Sequence, residues 1–247
     1  MEVIMDEKMS LHEEQKSASD IEREKELQQL LEEMKQRKRR KIKKCMVILP
    51  MIIIAVFGFR LVLKTINTEK VDSLAFIPAP KQVETSGSKT IRRLGLKARL
   101  EYVATYELTG RVVSARNYFP FTEQDKISST ETGVAWDLLS DKEVDKAIVW
   151  QTPKRRELAH LRENREFLQE MGVDEARFGE MFSNNHLIAE NFYITMLIRS
   201  IRKGDFVRIE GYLVDAKYGR TRWSTSTTRT DGASEMIYVT DVVWLKE

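Results

Sequence analysis

Cysteine is nearly absent from this chain, and its absence excludes a disulfide framework. The sequence contains one cysteine, Cys45, in 247 residues, so no disulfide can form within a single copy. A domain in an oxidising compartment can fold without disulfides when its hydrophobic core is large enough. Residues 64–247 are long enough to bury such a core, so the lack of cysteine does not decide the compartment.

Motifs for catalysis, phosphate binding and metal binding are also missing. The sequence has neither a glycine-rich phosphate loop nor a G-x-S-x-G elbow. Beyond residue 63 it has two histidines, His160 and His186, and neither belongs to an HxH or HExxH arrangement. We therefore expect no cofactor, no metal and no enzymatic activity. A hydrolase that uses His186 is the least favoured alternative.

An excess of positive charge is missing from the larger part of the chain. Residues 64–247 hold 28 basic and 27 acidic side chains, so they are nearly neutral although the whole chain has a net charge of +3. Electrostatic capture of nucleic acid needs a basic surface. We therefore expect no nucleic acid among the partners.

One apolar stretch, residues 45–63, organises the rest of the chain. It has a single formal charge, Arg60, and follows a basic run at residues 34–44 that holds eight lysines or arginines and no acid. As a helix the stretch would span about 28 Å, close to the hydrocarbon thickness of a bilayer. A basic flank stays on the cytoplasmic side. The sequence therefore predicts a single-pass, bitopic protein of the bacterial inner membrane, with a cytoplasmic N-terminus and a periplasmic C-terminal domain.

The basic run is predicted to flank the membrane, where anionic lipid headgroups attract cations. Its predicted membrane-flanking residues are Arg37, Lys38, Arg39, Arg40, Lys41, Lys43 and Lys44. Nucleic acid or an acidic protein is an alternative ligand, but the topology alone explains the run. A signal peptide is the alternative for the apolar stretch, although 44 residues precede it and no small-x-small cleavage site follows.

Composition divides the chain into four predicted segments. Residues 1–44 form a charged, helical cytoplasmic segment, and residues 45–63 form the transmembrane helix. Residues 64–99 contain prolines and serines and are predicted to be a linker. Residues 100–247 form the extracytoplasmic domain.

This last domain has the alternating, β-branched and aromatic pattern of strands. The predicted strands are 102–116, 133–139, 147–151, 206–214, 221–228 and 236–244, and the predicted helices are 153–171 and 190–203. Gly110 interrupts the first strand, where glycine often marks a bulge or a sharp bend. The order of elements predicts an α+β fold class: an N-terminal helix, one transmembrane helix, and a small OB-like curved β-barrel of five or six strands with inserted helices.

Four stretches resemble those of a set of bacterial proteins. They are YELTGRVVSARNY at 106–118, FSNNHLIAEN at 182–191, IRKGDFVRIEGYLVD at 201–215 and STSTTRTDGASEMIYV at 224–239. The chain is similar in these stretches to uncharacterised, membrane-anchored bacterial proteins with a small OB-like outer domain. Such relatives often have a cysteine where this chain has Ser234, so the resemblance implies no metal or thiol chemistry here. It implies no activity either.

The densest polar cluster is Asn184, Asn185 and His186. A histidine can act as a general base or ligand, and asparagine amides can contact a carbonyl or oxyanion. The alternative is a capped turn leading into a strand. Arg229 and Asp231 form a second polar turn, which either contacts the first cluster or braces its own hairpin.

Trp223 completes the candidate binding residues. Exposed aromatic residues on an OB-type domain can stack on bases. Neutral charge argues against that role, and packing or a protein contact is the favoured interpretation.

These observations favour a protein-interaction or assembly module in a bacterial envelope complex of the secretion, conjugation or division type. Exposed edge strands would favour pairing with partners by strand addition. The expected partners are membrane lipid, other envelope proteins and a second copy of the chain. The alternative is an extracytoplasmic domain that binds or senses a ligand.

Overall fold

The computed structural model describes the chain except residues 1–29, 31, 40–41, 43–45, 47, 49, 52–53, 152–158, 163, 174–176 and 228–233, and it describes only the backbone of 159–162. The chain divides into two units, Met1–Phe59 and Arg60–Glu247. In the first unit the described residues from 30 to 59 are helical and nearly all exposed. The second unit holds the sheet, the hydrophobic core and the sites described below.

The prediction of a membrane-spanning helix at residues 45–63 is contradicted by the structure. In the part of the chain that the structure describes, no helix is long and apolar enough to cross a membrane. Residues 60–66 are helical and belong to the second unit, where Leu63 packs in the core and Lys64 Nζ lies 2.5 Å from Asp205 Oδ1. The transmembrane, single-pass and bitopic predictions are therefore wrong.

The second unit is a mixed, sheet-rich α+β fold. Its strands are β1 Thr68–Lys70, β2 Lys81–Glu84, β3 Ser88–Arg93, β4 Leu96–Asn117, β5 Thr130–Ala135, β6 Ile148–Gln151, β7 Ala159–Arg162, β8 Phe182–Ala189, β9 Phe206–Tyr218, β10 Thr221–Trp223 and β11 Ser234–Lys246. Its helices are α1 at 60–66, α2 Glu123–Ile127, α3 Lys142–Lys146, α4 Arg165–Glu170 and α5 Phe192–Ile198, with 3₁₀ helices at Asp137–Ser140 and Phe178–Glu180.

Five of the strands pair in a closed ring. β4 pairs with β5, β5 with β8, β11 with β9, and β9 with β4, all antiparallel, while β8 and β11 run parallel. β1 and β10 extend the sheet at β11 and β9, and β2 and β3 lie end to end along β4. α5 connects β8 to β9 and is capped by Asn191, whose side chain accepts from Ile194 N.

The predicted fold class is corrected on two points. The main sheet has nine strands instead of the five or six of an OB-like barrel, and no membrane-spanning helix precedes it in the described residues. Three of the additional strands, β1 to β3, lie within residues 64–99, the segment predicted as a linker. The predicted helix 153–171 is also wrong in part, because residues 159–162 form β7 and pair with β6.

Two glycines allow neighbouring strands of the ring to approach closely. A Cβ at Gly110 would lie 2.4 Å from Ala135 O, and a Cβ at Gly211 would lie 2.0 Å from Tyr238 O. Any side chain would therefore push the facing backbone away. The glycine in β4 and the glycine in β9 are needed because these strands are long, curved and paired on both edges.

The apolar residues form three clusters. The largest fills the ring, with Leu108 from β4, Ile209 and Leu213 from β9, and Leu197 from α5. A second lies in the segment between β5 and β8, which packs on Val113 and Phe182. The third covers the other face of β4, β9 and β11, with Ile91, Leu100, Ile188, Val214 and Tyr238 among its members.

A buried ion pair joins the segment between β5 and β8 to the ring. Arg111 on β4 donates from Nη2 to Asp145 Oδ2 at 3.1 Å, and Trp150 Nε1 donates to Asp145 Oδ1 at 2.8 Å. The two charged side chains are only 13% and 7% exposed. Removal of either partner would leave a buried group without its counter-charge, so this contact fixes where the segment packs.

Candidate functional site

The predicted polar residues of β8 lie inside the fold, on a strand that is buried along its whole length. Side chains alternate between the two faces of a strand. Asn185 shares a face with Leu187, a member of the ring core, while Asn184 and His186 point to the opposite face. The interpretation of these residues as a turn is therefore wrong, because residues 182–189 pair with both β5 and β11.

A fully buried carboxylate, Glu131 on β5, lies opposite His186 in the strand register. Its Oε1 accepts from Asn184 Nδ2 at 2.8 Å, and its Oε2 accepts a hydrogen bond from Tyr118 OH. His186 Nδ1 is 4.0 Å from Oε1. Hydrogen bonds of this kind compensate the loss of hydration when a carboxylate is buried.

Asn185 serves the neighbouring strand instead of this carboxylate. Its Nδ2 donates to Thr132 O at 3.1 Å and to Ser183 Oγ at 2.9 Å. These contacts stay within the β5–β8 pair. They occupy the amide hydrogens that a bound ligand would otherwise meet.

Trp223 on β10 covers the histidine, with 4.8 Å between the two ring centroids and an angle of 57° between the planes. His186 is consequently only 4% exposed. Ser234, the position at which the resembling proteins often have a cysteine, accepts from Asn184 Nδ2 at 3.3 Å. The structure thus brings together three of the predicted binding residues, Asn184, His186 and Trp223, whereas Asn185 lies on the other face of β8. Arg229 and Asp231 lie outside the described residues.

Glu131 and Tyr118 were missed by the sequence analysis. Glu131 lies in TETGVA, where one acid among small residues has the pattern of a solvent-facing strand position. The sequence does not show that Glu131 lies opposite His186. That relation appears only in the register between β5 and β8.

A stack of three tyrosines lies on the same outer face of the sheet. The Tyr102 ring centroid is 4.4 Å from that of Tyr212 and 6.2 Å from that of Tyr238. Burial raises the pKa of Tyr238 to about 12 and also raises the pKa of Tyr102. In the part of the chain that the structure describes, the Tyr238 hydroxyl has no hydrogen-bond partner.

The chemistry open to the Glu131–His186 cluster is limited by its burial. A reactant would have to displace Trp223 to reach the imidazole, and the carboxylate is committed to Tyr118 and Asn184. Among the described residues, no group of three or more His, Cys, Asp and Glu side chains is arranged to hold a metal ion. In this arrangement the cluster stabilises the β5–β8 pairing.

The outer edge of β2 and β3 is an open feature of the second unit. Each pairs with β4, and the described residues give neither strand a second partner. Thr85 N donates to Val103 O at 3.1 Å and Tyr102 N to Gly87 O at 2.9 Å, so residues 81–93 follow β4 with one interruption. Val83 on this edge is 66% exposed.

The predicted membrane-flanking cations are only partly described. Arg37, Lys38 and Arg39 are exposed on the helical residues 32–39. Arg40, Lys41, Lys43 and Lys44 lie outside the described residues.

Comparisons of this chain with protein-family models, curated proteins and solved structures find no match. The resemblance to membrane-anchored bacterial proteins stays a prediction.

Proposed function

We propose that the second unit is a protein-interaction module to which a partner adds a strand along the edge of β2 and β3. The observation that supports this proposal most directly is the edge itself: over residues 81–93, the described residues pair with β2 and β3 on one side only. Unpaired backbone N–H and C=O groups on such an edge are a template for an extended segment of another chain.

The side chains of this edge favour selective pairing. Lys81, Lys89 and Arg92 are exposed along it, and cations on an edge strand discourage pairing between identical edges. Val83 offers an apolar contact between them. An added strand that places a carboxylate opposite the exposed Lys89 would gain a favourable cross-strand pair.

Site-specific photo-crosslinking in cells tests this proposal on the full chain. A photoreactive amino acid at position 83 or 89 would lie against an added strand, whereas one at the exposed position 166 on α4 would not. We expect the same discrete adduct from positions 83 and 89, and no such adduct from position 166. Equal background at all three positions would rule out the edge as the contact.

A ligand-binding domain is the second candidate, favoured by a groove of about 390 Å³ beside the edge. Lys81, Glu107, Glu210, Tyr212 and Thr240 line it. Small-molecule sites of this volume use a few polar groups to orient the ligand. A ligand whose thermal stabilisation of the chain disappears in Glu210→Gln would support this function. The bacterial envelope as the setting stays a prediction from the sequence.

A further inference from the structure

A second surface feature is a cleft of about 390 Å³ between residues 76–79 and the two 3₁₀ helices. Its apolar wall includes Phe76, Pro78 and Met181, and its polar groups are Asp137, Arg177 and Glu180. The Phe76 ring is 78% exposed at the rim. The cleft thus combines an exposed aromatic ring with two carboxylates.

The backbone holds both walls of the cleft in an uncommon conformation. Phe76 has φ +53° and Asp137 has φ +51°, and Asp137 N donates to Ile77 O at 2.8 Å across the cleft. Among the described residues, the remaining non-glycine residue with positive φ is Leu94, which lies in the tight β3–β4 turn beside Gly95. The left-handed conformation is unfavourable for a bulky residue such as Phe, so contacts across the cleft maintain this arrangement.

The charges of the cleft are incompletely neutralised. Arg177 Nη2 lies 3.7 Å from Asp137 Oδ2, and Arg177 Nε lies 3.9 Å from Glu180 Oε2. Both separations are too long for hydrogen bonds, and the Arg177 side chain is 61% exposed. Among the described residues that line the cleft, two carboxylates and one guanidinium give one net negative charge.

We propose that this cleft binds a lysine or arginine side chain of a partner protein. The aliphatic part of such a side chain packs on Pro78, while its cationic end reaches Asp137 and lies against the exposed Phe76 ring. This inference rests on the proposed interaction function and names the chemistry of the partner. The negative charge of the cleft favours this occupant over an acidic segment.

Titration of the full chain with N-acetyl-arginine amide, followed by NMR, tests the assignment. A single residue of this size is expected to bind with a dissociation constant on the order of 1 mM. The matched ligand is N-acetyl-citrulline amide, which has nearly the same shape and no charge. We expect citrulline binding to be at least fivefold weaker, and equal affinities would overturn the proposal.

Three variants locate the binding. Asp137→Asn removes the charge at a position whose positive φ asparagine tolerates, and Phe76→Gly removes the ring at a φ that glycine adopts freely. Each should weaken arginine binding at least fivefold. Glu143→Gln, an equal charge change on α3 outside the cleft, should leave it unchanged. Unchanged affinity in Asp137→Asn would overturn the site.

The two proposals fail separately. If positions 83 and 89 give adducts but arginine does not bind, the interaction function is supported and the proposed cationic side chain in the cleft is overturned. If the chain self-associates and Asp137→Asn abolishes this self-association, the cleft is occupied by a second copy of the chain. That result would overturn the proposal that the partner is a different protein.

Discussion

At the residue scale, the same hydroxyl group has opposite consequences at two buried tyrosines. Tyr118 donates to the fully buried Glu131, whereas the Tyr238 hydroxyl lacks a hydrogen-bond partner among the described residues. Both rings are at least nine-tenths buried. The energetic value of a buried polar atom depends on what it meets, because desolvation costs the same free energy in either case.

Removal of each hydroxyl should show this difference. We expect Tyr118→Phe to lower the free energy of unfolding by about 2 kcal/mol, since it leaves the Glu131 carboxylate with one fewer donor. Tyr238→Phe should be neutral or stabilising by up to about 1 kcal/mol. Urea unfolding of the full-length variants measures both. Equal losses would show that the Tyr238 hydroxyl has a partner.

At the element scale, the segment between β5 and β8 depends on one carboxylate. Asp145 accepts from both Arg111 and Trp150, and therefore joins β4, α3 and β6. The apolar contacts of the segment with Val113 and Phe182 of the ring are less directional. The ion pair consequently determines the position of the segment more than the apolar surface does.

Replacement of Asp145 should destabilise the chain strongly. Asp145→Ala leaves the Arg111 guanidinium buried without its counter-charge, so we expect a loss of about 3 kcal/mol. The double variant Arg111→Leu/Asp145→Leu should recover part of that loss, because neither charge then remains buried. Asp141→Asn on the same segment keeps a good N-cap and should change little. No recovery in the double variant would contradict this explanation.

At the scale of the whole molecule, closure of the five-stranded ring depends on how closely β9 approaches β11 at Gly211. β9 is paired with β4 on one edge and β11 on the other, and Gly211 lies in the middle of both pairings. A shift of this strand would propagate to both neighbours. Closure is therefore a property of the whole ring and of no single pair.

Gly211→Ala tests closure. The added Cβ would lie 2.0 Å from Tyr238 O, so we expect a loss of at least about 2 kcal/mol in the free energy of unfolding. Gly58→Ala, where the added Cβ would meet nothing within 4 Å, is the control and should be neutral or slightly stabilising. A small effect at Gly211 would mean that the two strands separate at low cost.

The sequence by itself determined the strands with the most regular alternation. The predicted strands 206–214 and 236–244 are confirmed as β9 and β11, and the predicted helix 190–203 contains α5. In these elements the local side-chain period and the tertiary environment agree, so the pattern alone was sufficient. The alternation of side chains also predicted that Gly110 lies within a strand. The structure adds that the facing strand is β5, where Ala135 O would lie 2.4 Å from a Cβ at this position.

Only the tertiary structure decided the elements whose pairing is remote. Residues 159–162 have a helical pattern but pair as a strand with β6, and Leu63, at the end of the apolar stretch, packs in the core of the second unit. The Glu131–Asn184–Tyr118 cluster joins residues up to 66 positions apart, and Asp137 faces Ile77 across the cleft. Secondary-structure propensity is a property of neighbouring residues and does not include such remote partners. The register of a sheet and the burial of a charge depend on contacts that form only when distant segments meet.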